Sequence, residues 1–361
     1  MDLIIKPTEL CNFKCTFCSS TKIAAHSAQT LDLERIYQFL KRFPNTSTII
    51  VNGGDPLMVP PQYYWQLIDH LDKHEYKASI SFTSNLWPFL KNPKKWTKLF
   101  QHERMGVATS FNYGPGRVKG DLSLFTESDL WEVSNAMLEH VGYRPDFISV
   151  VTDENEDLAI KNVELAREMS DGKPAYVDEF GQKHGVECKL NYAMASGDII
   201  VDPRTGHKMG QAGNPYLLSK VYKIYVDIHK AGLTPWEFNT KQMSKRLKGA
   251  PTICPQNRKC DEGIRTLQPG GDYYSCGAFG DDRDKPIDFQ EEVINGKFFT
   301  PLQDDIALDS MKHECYSCPM FAICNGCRKT VKDLKDAGLV EQHCRTMKTL
   351  ATDILEVNGL A

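Results

Sequence analysis

The chain has 361 residues, of which 41% are hydrophobic and 25% are charged, and its formal net charge at pH 7 is −4. This composition is ordinary for a globular protein of roughly two domains, and it excludes disordered, collagen-like and coiled-coil chains. The small net charge gives no overall field that would hold a polyanion, so a nucleic-acid partner is neither required nor excluded.

Short β-branched or apolar segments alternate with segments of helical period over the first half of the chain. Strands are predicted at residues 3–6, 48–51, 78–82, 107–111, 147–151 and 187–191. Helices are predicted at residues 31–43, 62–74, 128–140 and 156–169, and a later one at about 215–230. Six βα repeats favour an α/β fold with a parallel sheet and right-handed crossovers, either an open doubly wound sheet or a curved, incomplete barrel.

Each predicted strand is followed by a loop of unusual composition. In chain order these loops contain residues 11–18, 52–56, 83–85, 112–114, 152–155 and 194–197. Parallel α/β folds place their active sites at the carboxyl ends of the strands, so these six loops are expected to meet at one site.

No window approaches the roughly 18 uncharged apolar residues of a membrane-spanning helix. Residues 1–7 lack the basic flank and the apolar run of an export signal. We therefore expect a cytoplasmic protein with no membrane partner. Because the first predicted strand begins at Leu3, we also expect no peptide-recognition domain ahead of it.

The sequence contains twelve cysteines. A reducing cytosol disfavours disulfides, and a chain of this length can bury a core without them, so metal binding is the better explanation. The cysteines form one group near each end of the chain, with Cys188 alone between them. Two separate metal regions are therefore predicted.

The first group has the spacing C-x3-C-x2-C, formed by Cys11, Cys15 and Cys18. Three thiolates can bind three irons of a [4Fe-4S] cluster, which leaves the fourth iron open to a non-protein ligand. Phe17, one residue before the last cysteine, can shield such a cluster from water. The alternative is a zinc site that takes a fourth ligand such as His26.

This triplet resembles the C-x3-C-x-aromatic-C motif of the radical S-adenosylmethionine enzymes, and it matches without a gap. The resemblance implies that the open iron chelates S-adenosylmethionine, that one electron cleaves this cofactor, and that a 5′-deoxyadenosyl radical abstracts a substrate hydrogen. It also implies a partial (β/α)6, TIM-like barrel, in agreement with the six βα repeats. The protein would position the cofactor and exclude water.

Further positions resemble cofactor-binding segments of that family. The implied S-adenosylmethionine-binding residues are Gly53, Gly54, Asp55, Ser84, Ser110 and Ala195. The first three match a Gly-Gly-Glu segment whose backbone receives the methionyl amino group, with Asp in place of Glu. The two serines match positions near the ribose and the methionyl carboxylate, and Ala195 lies in a segment that lines the adenine. Without the resemblance, the glycines would indicate a tight turn and the serines surface hydroxyls.

The second group supplies eight cysteines in the last third of the chain. Two fully ligated [4Fe-4S] clusters need eight thiolates, but two zinc sites would take the same number. The spacing resembles the SPASM extension found on a subset of radical S-adenosylmethionine enzymes, which gives three [4Fe-4S] clusters in all. The resemblance implies one auxiliary cluster on Cys254, Cys260, Cys276 and Cys327 and a second on Cys315, Cys318, Cys324 and Cys344.

The spacing is most similar to that of the anaerobic sulfatase-maturating enzymes, in which an Asp general base directly follows the third auxiliary cysteine. Gly277 stands at that place here, so the catalytic base is not assigned. Tyr273, Asp281 and Asp282 are the nearby candidates, although for the two acids a role in a solvated loop is favoured. Cys188 is expected to be a small buried residue, with a radical or thioether role as the alternative.

We predict a radical S-adenosylmethionine partial barrel at residues 1–200, a bridging helical segment at 201–250, and a small cysteine-rich iron-sulfur domain at 251–361. The predicted activity is that of an oxidoreductase or isomerase that oxidises or cross-links a peptide or protein side chain. One alternative is radical oxidation or isomerisation of a small metabolite or modified nucleobase, and another is a non-catalytic iron-sulfur or zinc protein. The expected partners are the substrate and a reductant such as flavodoxin or ferredoxin.

Overall fold

The computed structural model describes residues 1–20, 29–179, 183–194, 199–210, 216–250, 260–299, 314–315, 317–324 and 327–360. Within these ranges, no helix combines the length and the hydrophobicity that a membrane span requires.

A large sheet organises the molecule. The strands are β1 (Asp2–Ile5), β2 (Thr48–Val51), β3 (Ser79–Thr83), β4 (Met105–Ser110), β5 (Asp146–Val151), β6 (Tyr176–Val177), β7 (Lys183–His184), β8 (Cys188–Tyr192), β9 (Ile200–Val201), β10 (Lys208–Met209), β11 (Ile264–Leu267) and β12 (Tyr273–Tyr274). Eight of them form one sheet in the order β12-β11-β1-β2-β3-β4-β5-β8, and β6–β7 and β9–β10 form separate antiparallel pairs.

The six predicted strands are β1 to β5 and β8, and all of their pairings with one another are parallel. The predicted α/β class with a parallel sheet is therefore confirmed. Among the described residues, the two outer strands β12 and β8 do not pair with each other, which is the arrangement of an incomplete barrel.

Helices connect the strands and cover one face of the sheet. They are α1 (Leu33–Arg42), α2 (Pro61–Lys73), α3 (Trp87–Lys91), α4 (Thr97–Phe100), α5 (Glu127–His140), α6 (Ala159–Met169), α7 (Leu218–Lys230), α8 (Phe238–Leu247), α9 (Cys260–Gly263), α10 (Gly277–Asp282), α11 (Phe321–Cys324), α12 (Arg328–Asp336) and α13 (Val340–Val357). The predicted helices correspond to α1, α2, α5, α6 and α7. A 3-10 turn over Glu156–Leu158 precedes α6, where one continuous helix was predicted.

Successive side chains along each strand point alternately to the face covered by helices and to the inner face of the sheet. Leu3 and Ile5 of β1 are fully buried beneath the helices, so Ile4 and Lys6 point to the inner face. Local capping fixes where the covering helices begin. The Asp32 carboxylate accepts the Glu34 N–H at 3.0 Å at the start of α1, and Thr126 forms a capping box at the start of α5.

The sequence did not predict strands β11 and β12, which extend the sheet beyond β1. β11 pairs in parallel with β1, and β12 pairs antiparallel with β11. Arg265 of β11 forms a fully buried ion pair with Glu292 at 2.7 Å. The Glu292 carboxylate also accepts a hydrogen bond from the Tyr273 hydroxyl. The region predicted as the C-terminal domain thus contributes strands to the main sheet, and the division at residues 200 and 250 stays a prediction.

Candidate active site

The three N-terminal cysteines lie on one loop that begins at the carboxyl end of β1. Cys11 is exposed, whereas Cys15 and Cys18 are partly buried. A segment that follows β4 runs alongside this loop and fixes its backbone. The Lys14 N–H donates to the Val118 carbonyl at 2.8 Å, and the Thr16 N–H donates to the Gly116 carbonyl at 2.9 Å.

The hairpin of β9 and β10 packs on the same loop. Lys14 forms an ion pair with Asp202 at 3.1 Å, and the His207 Nε2 lies 2.6 Å from the Lys14 carbonyl oxygen. The cysteine loop is therefore held from two sides by segments distant in sequence.

Arg117 brings a buried positive charge to the cysteines, and no pattern in the sequence predicted it. The guanidinium carbon lies 5.1 Å above the centre of the Phe17 ring. Its Nη1 donates to Ser110 Oγ at 2.8 Å and its Nε to Asn112 Oδ1 at 3.2 Å. Burial lowers the pKa of Arg117, while negative charge on Cys15 and its two neighbouring cysteines raises it. The cation is thus placed to stabilise thiolates.

The donor set suits a [4Fe-4S] cluster. Burial, followed by charge on Cys15, raises the pKa of the Cys18 thiol to about 12, so a bound metal must displace the proton. Among the described residues, no three His, Cys, Asp or Glu side chains meet the geometry of a site for one metal ion. A cube takes one thiolate at each iron and needs no such convergence on a single point. His26 lies outside the described residues.

Gly53 and Gly54 pack against the backbone just before Cys11. The Gly54 N–H donates to the Thr8 carbonyl at 3.0 Å. A Cβ on Gly54 would lie 2.2 Å from the Leu10 carbonyl oxygen, and Gly53 has a φ of +122° that favours glycine. Only glycine allows this approach, so the pair fixes the entry to the cysteine loop.

Asp55 is buried and holds the loops after β2 and β3 together. Its carboxylate accepts hydrogen bonds from Ser84 Oγ at 2.9 Å, from the Asn85 N–H at 2.8 Å and from the Leu57 N–H at 2.9 Å. Burial raises its pKa to about 6, and these hydrogen bonds oppose the rise. Asn85 in turn donates from Nδ2 to the Asn12 side chain at 2.8 Å, which connects the β3 loop to the cysteine loop.

The predicted cofactor residues therefore fall into three groups. Gly53, Gly54 and Ser110 lie beside the cysteine loop or its arginine. Asp55 and Ser84 are buried and bonded to each other, so they shape the site through the loops they connect. Ala195 lies outside the described residues.

Asp281, one of the candidate acids, reaches the cysteine loop from α10. Its carboxylate pairs with Lys6 at the end of β1 and accepts a hydrogen bond from Ser19 Oγ at 2.7 Å. Cys276 is the residue before α10. This short helix therefore connects a predicted auxiliary-cluster cysteine directly to the residue after Cys18.

The other candidates for a catalytic group are placed in structural roles. Tyr273 is 1% exposed and its hydroxyl binds Glu292 on the helix-covered face, which corrects its proposed place in the site. Asp282 pairs with Lys329 of α12. Cys188 is completely buried in the core, as expected for a small apolar residue.

Four of the C-terminal cysteines surround one small cavity of about 120 Å³: Cys315, Cys318, Cys324 and Cys344. These are the four residues predicted to hold the second auxiliary cluster. Burial, followed by negative charge on Cys344 and Cys315, raises the pKa of the Cys324 thiol to about 12. Tyr222 donates to the Cys324 carbonyl, and Arg246 Nη2 donates to the Ile323 carbonyl at 2.8 Å, so α7 and α8 anchor α11.

The set predicted for the first auxiliary cluster is only partly described. Cys276 packs against Phe279 and Val331 beside Cys315, and Cys327 directly precedes α12. Cys254 and the side chain of Cys260 lie outside the described residues, so this ligand set stays a prediction.

No protein-family model and no curated protein matches the chain. Solved structures do match. A structure of anSMEcpe, an anaerobic sulfatase-maturating enzyme, with bound AdoMet and Cp18Cys peptide has a TM-score of 0.67 and 16% sequence identity, over 99% of this chain and 98% of that one. Streptococcus suis SuiB bound to S-adenosylmethionine has a TM-score of 0.50 and 13% identity, over 90% of this chain and 72% of that one.

The fold is that of the radical S-adenosylmethionine enzymes. The predicted partial, TIM-like barrel is thereby confirmed. In such a fold the inner face of the sheet and the carboxyl ends of its strands surround the reaction site.

Unpartnered polar groups occur on this inner face. Lys6, Asn52 and Gln268 directly follow the adjacent strands β1, β2 and β11. They are neighbours, because the Lys6 backbone N–H bonds to β11 and the Asn52 backbone N–H bonds to β1. Among the described residues, the buried Asn52 Oδ1 and both amide atoms of Gln268 have no hydrogen-bond partner. The carboxylate of Glu9 is buried and unpartnered in the same way, and burial raises its pKa to about 7. Buried polar groups normally have a hydrogen-bond partner, so these atoms are candidates to contact a ligand.

Replacing Gly54 with alanine should destabilise the folded protein by about 2 kcal/mol or more, because the new methyl group overlaps the Leu10 carbonyl. Anaerobic urea unfolding measures the change. Gly106→Ala in β4 is the matched control, since a Cβ there meets no atom within 4 Å. Equal stability of the two variants would contradict the tight packing at Gly54.

Proposed function

We propose that this protein is a radical S-adenosylmethionine enzyme that removes a hydrogen atom from a carbon of its substrate. The observation that carries the proposal is the loop with Cys11, Cys15 and Cys18, which lies at the carboxyl ends of a parallel sheet and faces the buried cation of Arg117. Three thiols with no fourth protein donor in the motif suit a cube with one open iron.

When bound, the cube and S-adenosylmethionine would supply an electron and a carbon-centred oxidant. The chain's own residues would hold and shield them. The three cysteines would bind the irons, and Phe17, which is 8% exposed, would cover one side of the site. Ser110 and Arg117 offer a hydroxyl and a guanidinium to a carboxylate, which suits the methionyl end of the cofactor.

Two further clusters are proposed for the C-terminal cysteines. The shared cavity of Cys315, Cys318, Cys324 and Cys344 supports one of them. A fully ligated cluster can pass an electron but has no iron open to substrate. We propose that these clusters carry the second electron of an oxidation away from the substrate. A flavodoxin or ferredoxin would supply the first electron, and we expect the reaction in the cytoplasm.

A peptide or protein side chain is the proposed substrate. The unpartnered amide group of Gln268 and the unpartnered Asn52 Oδ1 among the described residues support this choice, because a peptide backbone offers both donors and acceptors to such atoms. One anSMEcpe structure contains a Cp18Cys peptide, and one SuiB structure contains the precursor peptide SuiA. Gly277 occupies the position of the family's Asp base, so we do not propose sulfatase maturation.

Replacing Cys15 with alanine should abolish formation of 5′-deoxyadenosine, because the first cube loses one of its three thiolates. The reconstituted wild-type chain should bind about 12 irons, and the variant should keep about 8 in the two other clusters. The measurements are anaerobic iron analysis and product formation with dithionite and S-adenosylmethionine.

Cys188→Ala is the matched control for Cys15→Ala. This fully buried core cysteine should be replaceable without loss of iron or product. Product from the Cys15 variant would refute the assignment of the triplet. A wild-type chain that forms no 5′-deoxyadenosine would favour the non-catalytic alternative.

Deuterated candidate peptides should pass label into 5′-deoxyadenosine if the substrate is a peptide. Gln268→Leu should lower this transfer roughly three- to tenfold, because one hydrogen bond to the substrate is lost. Iron content and cofactor cleavage without substrate should not change. The control is Gln101→Leu, which replaces an exposed glutamine whose side-chain Nε2 donates to the His140 carbonyl at 3.1 Å. Transfer from metabolites alone, or no effect of Gln268→Leu, would contradict the proposed substrate site.

A further inference from the structure

His343 lies beside the four cysteines of the second auxiliary site. It is the residue before Cys344 on α13, its side chain is 2% exposed, and it borders the same cavity of about 120 Å³. The imidazole Nε2 is 3.3 Å from the Cys324 sulfur. The Nδ1 atom is buried and has no hydrogen-bond partner in the described part of the chain. Among the described residues, the His343 imidazole thus makes its polar contact with the Cys324 sulfur.

The chemistry of an iron ligand fixes the direction of this hydrogen bond. While Cys324 is a thiol, either the sulfur or Nε2 could donate. A cysteine binds iron as a thiolate, which has no proton to give. Nε2 must then carry the hydrogen, and Nδ1 keeps the lone pair.

Both partners are held in place by the surrounding structure. The Tyr222 hydroxyl donates to the Cys324 carbonyl, and the Arg246 guanidinium donates to the Ile323 carbonyl. These two bonds hold the backbone before and after Cys324. The position of His343 is held by α13, because its backbone N–H donates to the Leu339 carbonyl at 3.0 Å at the start of that helix. The contact therefore does not depend on a mobile side chain at the surface.

We propose that His343 donates a hydrogen bond to the sulfur of Cys324 and thereby raises the reduction potential of the second auxiliary cluster. The inference rests on the proposed function, since it requires a cluster on these four cysteines. A donor to a cluster sulfur stabilises the reduced form, which carries one more negative charge, more than the oxidised form. His343 acts here as a positioning residue that makes the cluster a better electron acceptor.

Two substitutions test this role in the fully reconstituted chain. His343→Leu removes the donor, whereas His343→Gln keeps an N–H group that can reach the sulfur. Redox titration followed by electron paramagnetic resonance should show one cluster potential lowered in the Leu variant. The expected shift is about tenfold in the one-electron equilibrium, or about 59 mV, and the Gln variant should lie closer to the wild type.

His229→Leu is the matched control. His229 is also a histidine with one buried, unpartnered nitrogen among the described residues, but its Nδ1 lies 2.9 Å from Thr234 Oγ1. This variant should leave all cluster potentials unchanged. Weak magnetic coupling of the second auxiliary cluster to ¹⁵N-labelled histidine should be present in the wild type and absent from His343→Leu.

Three results would overturn the proposal. The first is an unchanged potential in His343→Leu at full iron content. The second is loss of about four irons from that variant, which would make His343 necessary for holding the cluster. The third is strong ¹⁵N coupling, which would make it an iron ligand. Zinc in the auxiliary sites of the unsubstituted chain would instead refute the auxiliary clusters of the proposed function, and it would be detected before any variant is made.

Discussion

The arrangement of the site depends on one constraint, the fixed backbone of the cysteine loop. Thiols on a free loop would adopt many positions, and ordering them would cost conformational entropy when a cluster binds. Here the glycines at 53 and 54 touch the backbone before Cys11, Asn85 bonds to Asn12, and residues 116–118 bond to Lys14 and Thr16. These contacts come from the loops after β2, β3 and β4, so the sheet itself determines where the three sulfurs lie.

The C-terminal part of the chain is joined to this site through the sheet and through α10. β11 adds its strand beside β1, and α10 runs from Cys276 to Asp281, which binds Lys6 and Ser19 next to Cys18. Only a few bonded residues therefore separate Cys276 from the loop that contains Cys11, Cys15 and Cys18. This connection supports the electron exchange that we propose between the two ends of the molecule.

The sequence predicted those parts that depend on local pattern. Alternation and helical period identified β1 to β5 and β8, and cysteine spacing predicted the grouping of Cys315, Cys318, Cys324 and Cys344 that the structure places around one cavity. β11 was missed because Ile264–Leu267 is short and its partner is more than 250 residues away, a pairing that no local period encodes. Arg117 and His343 were missed because a single arginine or histidine has no spacing to recognise. Tyr273 was misplaced because its neighbours in sequence lie near the site while its side chain faces the opposite side of the sheet.

The most direct test of the central claim is spectroscopy of the reduced, air-protected protein before and after addition of S-adenosylmethionine labelled with ¹⁵N in its amino group and ¹⁷O in its carboxylate. If the cube on Cys11, Cys15 and Cys18 has an open iron, its signal should change on addition and show coupling to both labels. A cluster spectrum that does not respond to the labelled cofactor would contradict the account.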